Sequence, residues 1–297
     1  MRIKYIYSFI RKLYKTLFWI YFHPLVSNEK YKAIARYFWF HYSTKSCQPF
    51  KIPLLKQKLW VVKGQGSQTN YFTHLEDYED MLFLLHYTRP GDLFIDIGAN
   101  MGSYSILAGG VKNANVLSFE PSPINYQWFL KNIEQNNLDS FIMPKQLALG
   151  NQNRETQIVL KGALSHITEK MVEGSVSVRM TKLDNIAEYG DLIKMDVEGY
   201  ELSVLEGGKN VLSNPRTNAL IIEMKDFYGC NSCKSDVYKF LIDLDFRPYS
   251  YNPIIRELLL LSTYNRRLPN TIFIRDIKQV LNRIRSSISI KVGKFSY

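Results

Sequence analysis

The N-terminal segment shows the apolar periodicity of an α-helix. Apolar and aromatic side chains recur every three or four residues from Ile3 to Tyr21, and most of the basic side chains lie off that stripe. Pro24 ends the pattern, because proline cannot continue a helix. We therefore predict an amphipathic helix over residues 1–22, and a second aromatic and basic stretch follows from Tyr31 to Tyr42.

From about residue 91, short apolar runs alternate with helical patterns, which predicts an α/β fold with a mostly parallel sheet and helices on both faces. Such sheets bind ligands at the carboxyl ends of their strands, near the point where the strand order reverses. The strands are predicted at 92–97, 115–119, 141–149, 192–195, 219–224 and 270–274. The helices are predicted from 103, at 121–137, 200–212 and 237–244, with a hairpin insertion at 150–180.

Charge divides the chain of 297 residues into three parts. Residues 1–63 carry 13 lysines and arginines against one acid, residues 64–265 carry 17 against 25, and residues 266–297 carry 8 against one. The expected organisation is a basic, aromatic, helical extension over 1–63, an α/β domain over 64–276 and a basic tail over 277–297. Basic ends favour an anionic partner, either lipid headgroups or nucleic acid.

The longest purely apolar run near the N-terminus, Leu17–Phe22, has six residues, whereas a bilayer-spanning helix requires about 20. No small-residue cleavage site follows it, so we expect neither a membrane span nor a secretory signal. Three cysteines are too few for a disulfide framework, which favours a reducing, cytoplasmic location. Cys230 and Cys233 lack the second pair that a zinc site needs, and we interpret them as incidental.

The turn after the first predicted strand, Asp96-Ile97-Gly98-Ala99-Asn100-Met101-Gly102, is the strongest local signal. Glycine lets a backbone approach a ligand closely, and a helix that begins near Ser103 directs free N–H groups toward it. A dinucleotide fingerprint would require glycine at 98, 100 and 103, so Asn100 and Ser103 disfavour a dinucleotide. The carboxylate of Asp96 suits the cationic S-adenosylmethionine instead, with a plain strand-to-helix turn as the alternative.

Glu120 ends the second predicted strand, 24 residues after Asp96, and Pro121 stiffens the turn that presents it. A carboxylate at this position can accept hydrogen bonds from both hydroxyl groups of a ribose. The alternative is that Glu120 only caps the helix that follows.

Three further carboxylates, Asp196, Glu198 and Glu223, stand at or just beyond the ends of two later predicted strands. At one edge of the sheet they could act as a general base, as cation ligands or as hydrogen-bond acceptors for a substrate. His166, in the predicted hairpin insertion, is a further candidate base. The alternatives are that Glu198 or Glu201 caps the next helix and that His166 is merely solvated.

As a set and in this order, these motifs resemble the FkbM-type methyltransferase family over about residues 85–275. The resemblance implies a class I Rossmann-like methyltransferase fold and transfer of a methyl group from S-adenosylmethionine to oxygen, typically of a sugar. Cofactor binding would fall to Asp96, Gly98, Ala99, Asn100, Gly102, Tyr104, Glu120 and Pro121, and the reacting end to Asp196 and Glu198. The segment Gln146–Leu149 lacks the acidic residue with which many such enzymes contact adenine.

We therefore expect an O-methyltransferase for a saccharide or glycan, free or lipid-linked. A bound divalent ion could assist by lowering the pKa of the hydroxyl group, which the acids would allow. The alternatives are a nucleic-acid methyltransferase, disfavoured because an N-P-P-Y type of motif is absent, and a non-catalytic membrane-associated protein with this fold. The N-terminal helix would lie on the anionic inner face of the membrane, or else pack on its own domain.

Overall fold

The computed structural model describes residues 2–44, 48–63, 67–162, 165–168, 172–224 and 234–297. The interpretation of Cys230 and Cys233 falls outside these residues, as does Cys47. The N-terminal elements are α1 (Arg2–Phe22), α2 (Lys30–Ser43), β1 (Pro49–Leu54), β2 (Gln57–Val62), α3 (Thr69–Thr73) and α4 (Tyr78–Tyr87), with a short 3-10 turn at Pro24–Val26. Helices α1 and α2 thus coincide with the two aromatic and basic stretches.

The rest of the chain alternates strands and helices, as the apolar pattern predicts. The first elements are β3 (Leu93–Ile97), α5 (Ser103–Lys112), β4 (Asn115–Phe119), α6 (Pro123–Gln135), β5 (Ile142–Lys145), β6 (Ala148–Leu149), β7 (Arg154–Val159), β8 (His166–Thr168) and β9 (Ser175–Thr181). The later ones are β10 (Leu192–Met195), α7 (Glu201–Gly207), α8 (Lys209–Ser213), β11 (Ala219–Glu223), α9 (Lys234–Asp243), β12 (Arg247–Asn252), β13 (Glu257–Leu260), β14 (Asn270–Ile274), α10 (Ile277–Arg285), β15 (Lys291–Val292) and β16 (Phe295–Ser296).

Eight strands form the central sheet in the order β13-β12-β14-β11-β10-β3-β4-β5. Strands β11, β10, β3, β4 and β5 are parallel, whereas β14 runs antiparallel to β11. Strand β3 lies between β4 and β10, so the strand order reverses beside it, where open α/β sheets bind ligands. Hydrophobic cores with helices on both faces of the sheet confirm the predicted Rossmann-like fold.

A separate sheet of four strands, ordered β6-β9-β7-β8, covers the region of the predicted hairpin insertion. The single strand expected at 141–149 is wrong, because β5 ends at Lys145 and β6 pairs with β9 in this second sheet. The single helix expected at 200–212 is also wrong, since it breaks into α7 and α8 at a glycine pair. A side chain at Gly207 would overlap the backbone carbonyl of Gly150, so close packing requires glycine there.

Both ends of the chain contribute to the main core. Phe40 of α2 and Leu59 of β2 are fully buried in the same cluster as the helices of the α/β domain, and so are Val280 and Ile284 of α10. The boundaries expected at residues 63 and 277 therefore mark changes in charge along the sequence, whereas the hydrophobic core extends across both of them. Helix α1 is the exception, because Ile20, near its C-terminal end, is the one described side chain of α1 that is fully buried. Among the described helices, none combines the length and hydropathy that a bilayer-spanning segment requires.

Candidate active site

A pocket of about 310 Å³ opens at the carboxyl ends of β3, β4, β10 and β11. The structure brings ten of the residues expected from the sequence into its wall: Gly98, Ala99, Asn100, Tyr104, Glu120, Pro121, His166, Asp196, Glu198 and Glu223. Asp96 and Gly102 are not part of the wall, and their expected role in cofactor binding stays a prediction.

The two glycines of the β3–α5 turn serve the packing of the protein itself. Gly98 has φ +79°, and a side chain there would overlap the backbone carbonyl of Asp196, which ends the neighbouring strand segment. Gly102 has φ +89°, and a side chain there would overlap the ring of Phe129. Both positions therefore need glycine for conformation and for space. Both glycines thus allow a close approach between two parts of the chain, and Gly98 in addition lines the pocket.

Asp96 is fully buried behind the pocket and is held by a serine pair. Its Oδ2 accepts a hydrogen bond of 2.6 Å from Ser105 Oγ, and Ser105 Oγ lies 2.8 Å from Ser118 Oγ. Burial raises the pKa of Asp96, and the nearby Lys194 opposes this shift. Asp96 thus acts on the pocket through its neighbours and its charge.

Glu120 presents a buried carboxylate to the pocket with its orientation fixed by backbone donors. The backbone N–H of Asn100 donates to Oε2 at 2.7 Å, and the backbone N–H of Ser122 donates to Oε1 at 2.9 Å. The side-chain amide of Asn125 also points to Oε1, at 3.5 Å. Burial raises the pKa of Glu120 to about 7, although these hydrogen bonds favour the ionised form. The helix cap of α6 is a different residue, Ser122, whose side chain accepts from Asn125 N.

Asp196, Glu198 and Glu223 form a carboxylate cluster in the pocket, with one oxygen of each within 4.8 Å of the others. Lys194 of β10 places its Nζ 3.3 Å from Asp196 Oδ2. Burial would lower the pKa of this lysine, but surrounding carboxylates, chiefly those of Asp196 and Asp96, outweigh burial and raise it. A buried ammonium group therefore remains charged beside the cluster and offsets part of its repulsion.

The turn that carries Glu198 is strained and is held from the following helix. Glu198 has φ +52°, a conformation uncommon for a residue other than glycine, and Gly199 follows with φ +96°. Glu201 accepts hydrogen bonds from the backbone N–H groups of Val197, at 3.3 Å, and Gly199, at 3.2 Å. Glu201 is therefore the residue that stabilises the start of α7, while Glu198 faces the pocket.

A second acidic group, which we did not expect from the sequence, lines the pocket just before α4. Tyr104 OH donates to Asp77 Oδ2 at 2.9 Å, and Glu76 also lines the pocket. Burial, with the nearby Asp77, raises the pKa of Glu76 to about 7 and that of Asp80 to about 8. Nothing in the local sequence pattern marks these residues, because α4 precedes the strands whose ends identify the site. Lys194 could have been noticed as a charge inside an apolar strand.

Comparison with known families matches residues 96–248 to the Methyltransferase FkbM domain. This chain belongs to the FkbM methyltransferase family. The match covers half of the chain and confirms the resemblance carried by the motifs. S-adenosylmethionine is therefore the methyl donor of this FkbM domain, and the pocket at the end of β3 lies where its fold binds ligands.

One curated protein and two solved structures are among those to which this chain is similar. Hexuronic acid methyltransferase AglP of Haloferax volcanii is 27% identical over 147 residues, which span 48% of this chain and 59% of that protein. Magnesium protoporphyrin IX methyltransferase ChlM of Synechocystis with bound SAM has TM-score 0.38 and 14% identity, covering 63% of this chain and 71% of that one. TYW2 of M. jannaschii in complex with AdoMet has TM-score 0.41 and 11% identity, covering 78% and 89%.

The second sheet of the FkbM protein closes one side of the pocket with apolar side chains. Leu147 and Leu149 line the pocket from the segment around β6, and Ile158 lines it from β7. His166 of β8 lies in the same wall and is half-buried. The expected position of His166 over the pocket is therefore what the structure shows, and the segment without an acidic residue, Gln146–Leu149, contributes an apolar surface.

Proposed function

We propose that the protein transfers the methyl group of S-adenosylmethionine to a hydroxyl group of a saccharide. The observation that carries this proposal is the carboxylate cluster of Asp196, Glu198 and Glu223, which faces the same pocket as Glu120. The likeness to a hexuronic acid methyltransferase supports a sugar as the acceptor. A bond forms between the hydroxyl oxygen and the methyl carbon while the sulfur–methyl bond breaks, and its electron pair stays on sulfur.

For the cofactor, we assign the ribose to Glu120, because its fixed carboxylate can accept two hydroxyl donors. The turn of Gly98, Ala99 and Asn100 would contact the methionine part from the end of β3. Leu147 and the side chains near it provide an apolar surface for adenine, which needs no carboxylate. Asp96 would act through the field of its charge and by holding the turn, since it lies behind the wall.

For the chemical step, we assign proton removal from the acceptor hydroxyl to Asp196. A sugar hydroxyl is a weak nucleophile, so a carboxylate within hydrogen-bond reach accelerates its attack by accepting the proton. Glu198 and Glu223 share the cluster and would bind neighbouring hydroxyl groups, and His166 is the next candidate base. The enzyme's further contribution is to align the two reactants and to exclude water.

The test compares Asp196→Asn with Glu206→Gln, a change at an exposed acid that contacts Asn151 and does not line the pocket. Methyl transfer to hexuronic acid oligosaccharides is followed by mass spectrometry, with RNA as a second substrate. Asp196→Asn should keep cofactor affinity and lose most turnover, as expected of a group needed in the transition state. Since Asn would remove one of the charged partners of Lys194, melting temperatures are recorded, and Glu198→Gln is measured as well. Methylation of RNA but of no saccharide would refute the acceptor assignment.

The same assay decides whether the carboxylate cluster accepts the proton of the hydroxyl group or binds a divalent cation. The ammonium group of Lys194 already supplies a positive charge 3.3 Å from Asp196, so we expect full activity in EDTA. Loss of activity in EDTA and its return with Mg²⁺ would instead assign the cluster to a divalent ion, whose preferred ligands are carboxylate oxygens.

We also propose that α1 rests on an anionic membrane surface. Tyr14, Phe18 and Phe22 are 66%, 51% and 60% exposed and form one line of rings, 6.0 and 4.5 Å apart between centroids. Exposed lysines 12 and 15 lie on the same helix. Aromatic side chains beside basic ones favour the interface between headgroups and acyl chains. Further large exposed apolar side chains on α1 and α2 are Tyr7, Ile10, Trp19, Tyr31, Phe38, Trp39 and Tyr42.

Vesicles test the membrane proposal without disturbing the core. Removing residues 1–63 would take the buried Phe40 and Leu59 out of the protein, so substitutions are sharper than truncation. The unaltered protein should sediment with vesicles containing phosphatidylglycerol, and high salt should weaken this only in part. Phe18→Asp should abolish sedimentation and leave cofactor affinity unchanged, while Met143→Asp, an exposed position on β5, should behave like the unaltered protein. Sedimentation of Phe18→Asp at the original level would refute the proposal.

A further inference from the structure

A second and larger cavity, about 980 Å³ in volume, lies along the edge strand of the central sheet. We call it the β13 groove, and its apolar lining consists of Ile254, Ile255, Leu258, Leu259, Leu261 and Leu268. Its volume lies at the upper end of the range of about 300–1,000 Å³ usual for small-molecule sites. Pro24, two residues after the end of α1, also lines it.

The β13 groove exposes more apolar surface than the edge strands of soluble proteins normally do. Ile254 is 71% exposed, Ile255 60% and Leu259 69%. Natural edge strands are usually protected by charges, and a contiguous apolar patch of this kind marks a binding surface. An occupant with an apolar body therefore fits the groove.

The β13 groove and the active-site pocket are neighbours along two chain segments, which form a wall between them. At the start of α4, residues 76 and 77 line the pocket and residues 78 and 79 line the groove. At the start of β14, residues 269 and 270 line the pocket and residues 266–268 line the groove. Asn270 Nδ2 donates to Asp80 Oδ2 at 2.9 Å and ties the two segments together. A ligand that lies across this wall occupies both cavities.

The charges at this end of the β13 groove suit an anionic group. Arg266 and Arg267, both exposed, line the groove next to the wall. Two acids line it as well, but Glu257 lies 3.5 Å from Arg285, and burial raises the pKa of Glu79. The two arginines therefore leave a positive charge between an apolar groove and a polar pocket, and guanidinium groups bind phosphate well.

We infer that the β13 groove binds the apolar chain of a lipid-linked acceptor whose saccharide enters the pocket and whose linking phosphate meets Arg266 and Arg267. The inference rests on the proposed function for the saccharide end alone. Pro24 follows the end of α1 by two residues and lines the groove, so a bilayer under α1 would be the source of this lipid. One molecule of the lipid-linked acceptor binds to one molecule of the protein.

The experiment measures binding of farnesyl phosphate to the full chain by calorimetry, below the concentration at which the lipid forms micelles. Farnesol, dodecyl phosphate and inorganic phosphate are titrated in parallel. Leu259→Asp puts a charge in the groove, and Met143→Asp is the matched control, because Met143 is 58% exposed on β5, the opposite edge strand of the same sheet. We expect saturable binding, tighter than that of farnesol or phosphate, and a loss of at least about tenfold in Leu259→Asp, because the bound lipid would cover this exposed leucine and a charge there removes the apolar contact.

Dodecyl phosphate that binds as tightly as farnesyl phosphate would identify a linear chain as an equally good occupant and support the inference. Absence of saturable binding, equal affinity in Leu259→Asp, or farnesyl phosphate no tighter than inorganic phosphate would overturn it. A dimer of the unaltered protein that Leu259→Asp dissociates, without any lipid binding, would assign the groove to a second copy instead. Methylation of a water-soluble saccharide should persist in Leu259→Asp, so failure of the groove and failure of the proposed function give different results.

Discussion

Replacing Glu120 with glutamine removes one charge from the pocket and nearly preserves the shape of the side chain. In the folded protein, the carboxylate accepts backbone N–H groups of Asn100 and Ser122 on different oxygens, at 2.7 and 2.9 Å. Glutamine keeps one acceptor oxygen and turns the other into a donor, which then faces an N–H group. The two ribose hydroxyls would therefore face a neutral amide instead of a charged carboxylate, and this amide has one acceptor oxygen instead of two.

The size of the effect follows from these contacts. Hydrogen bonds to charged groups contribute about 1.5–3 kcal/mol, so the variant should bind S-adenosylmethionine more weakly by about 2–3 kcal/mol, or roughly 30- to 150-fold. A second signature comes from the pKa of Glu120, which burial raises to about 7. Only the ionised form is the good acceptor. The unaltered protein should therefore bind about tenfold more weakly at pH 6 than at pH 8, because roughly one tenth of the carboxylate is ionised at pH 6.

Calorimetric titrations at pH 6, 7 and 8 measure both effects in one series. Glu134→Gln serves as the control, because it makes the same chemical change at an exposed acid on α6, the helix that follows Glu120. Melting temperatures exclude loss of the fold as the cause. Affinity of Glu120→Gln within twofold of the unaltered protein would refute the ribose assignment. A tenfold rise from pH 6 to pH 8 that survives in Glu120→Gln would refute the assignment of the proton to this residue.

Two further predictions concern the architecture around the pocket. Gly98→Ala should lower the melting temperature and weaken cofactor binding more than Gly91→Ala. The backbone angle φ is similar at the two positions, +79° at Gly98 and +82° at Gly91, but only at position 98 would a side chain overlap the Asp196 carbonyl. Equal effects of the two substitutions would show that Gly98 matters only for its backbone conformation. The folded pKa of Asp80, about 8, lies above its ordinary value, so its contribution to stability is complete below about pH 4 and is lost as pH rises through 8. Between pH 5 and pH 9, the free energy of unfolding measured in urea should fall by on the order of 2–4 kcal/mol more in the unaltered protein than in Asp80→Asn. An equal fall in both proteins would exclude Asp80 as the cause.

The sequence predicts the strands that build the site because their apolar runs are short, continuous and followed by turn residues. Strands β3, β4, β10 and β11 agree with the predicted ones within one residue, and they carry Glu120, Asp196 and Glu223 to one edge. Period and turn chemistry are local properties, so a single sequence contains them. Strand β6 shows the limit, because whether residues 148–149 extend β5 or join β9 depends on pairing partners far away in the chain.

Residues outside the strand ends could not be assigned by the same reasoning. The acids at the start of α4 reach the pocket only because α4 packs against α5, where Tyr104 OH meets Asp77. Asp96 shows the converse, since a motif position correctly located along the chain turns out to face Ser105 inside the protein. The basic ends were described by their charge, whereas their apolar side chains decide their packing, as buried Val280 in the C-terminal segment illustrates.

The distribution of charge inside the domain gives the pocket a property that no single residue has. Among the described residues of the pocket, six carboxyl groups stand beside one buried ammonium group, that of Lys194, so these carboxyl groups outnumber the positive charge that faces them. Such a site is tolerable only if some carboxyls stay protonated, and burial indeed raises the pKa values of Glu76 and Glu120 to about 7. A sulfonium cofactor supplies the missing positive charge and favours ionisation of these groups. We therefore expect cofactor binding near pH 7 to be coupled to proton release from Glu76 and Glu120.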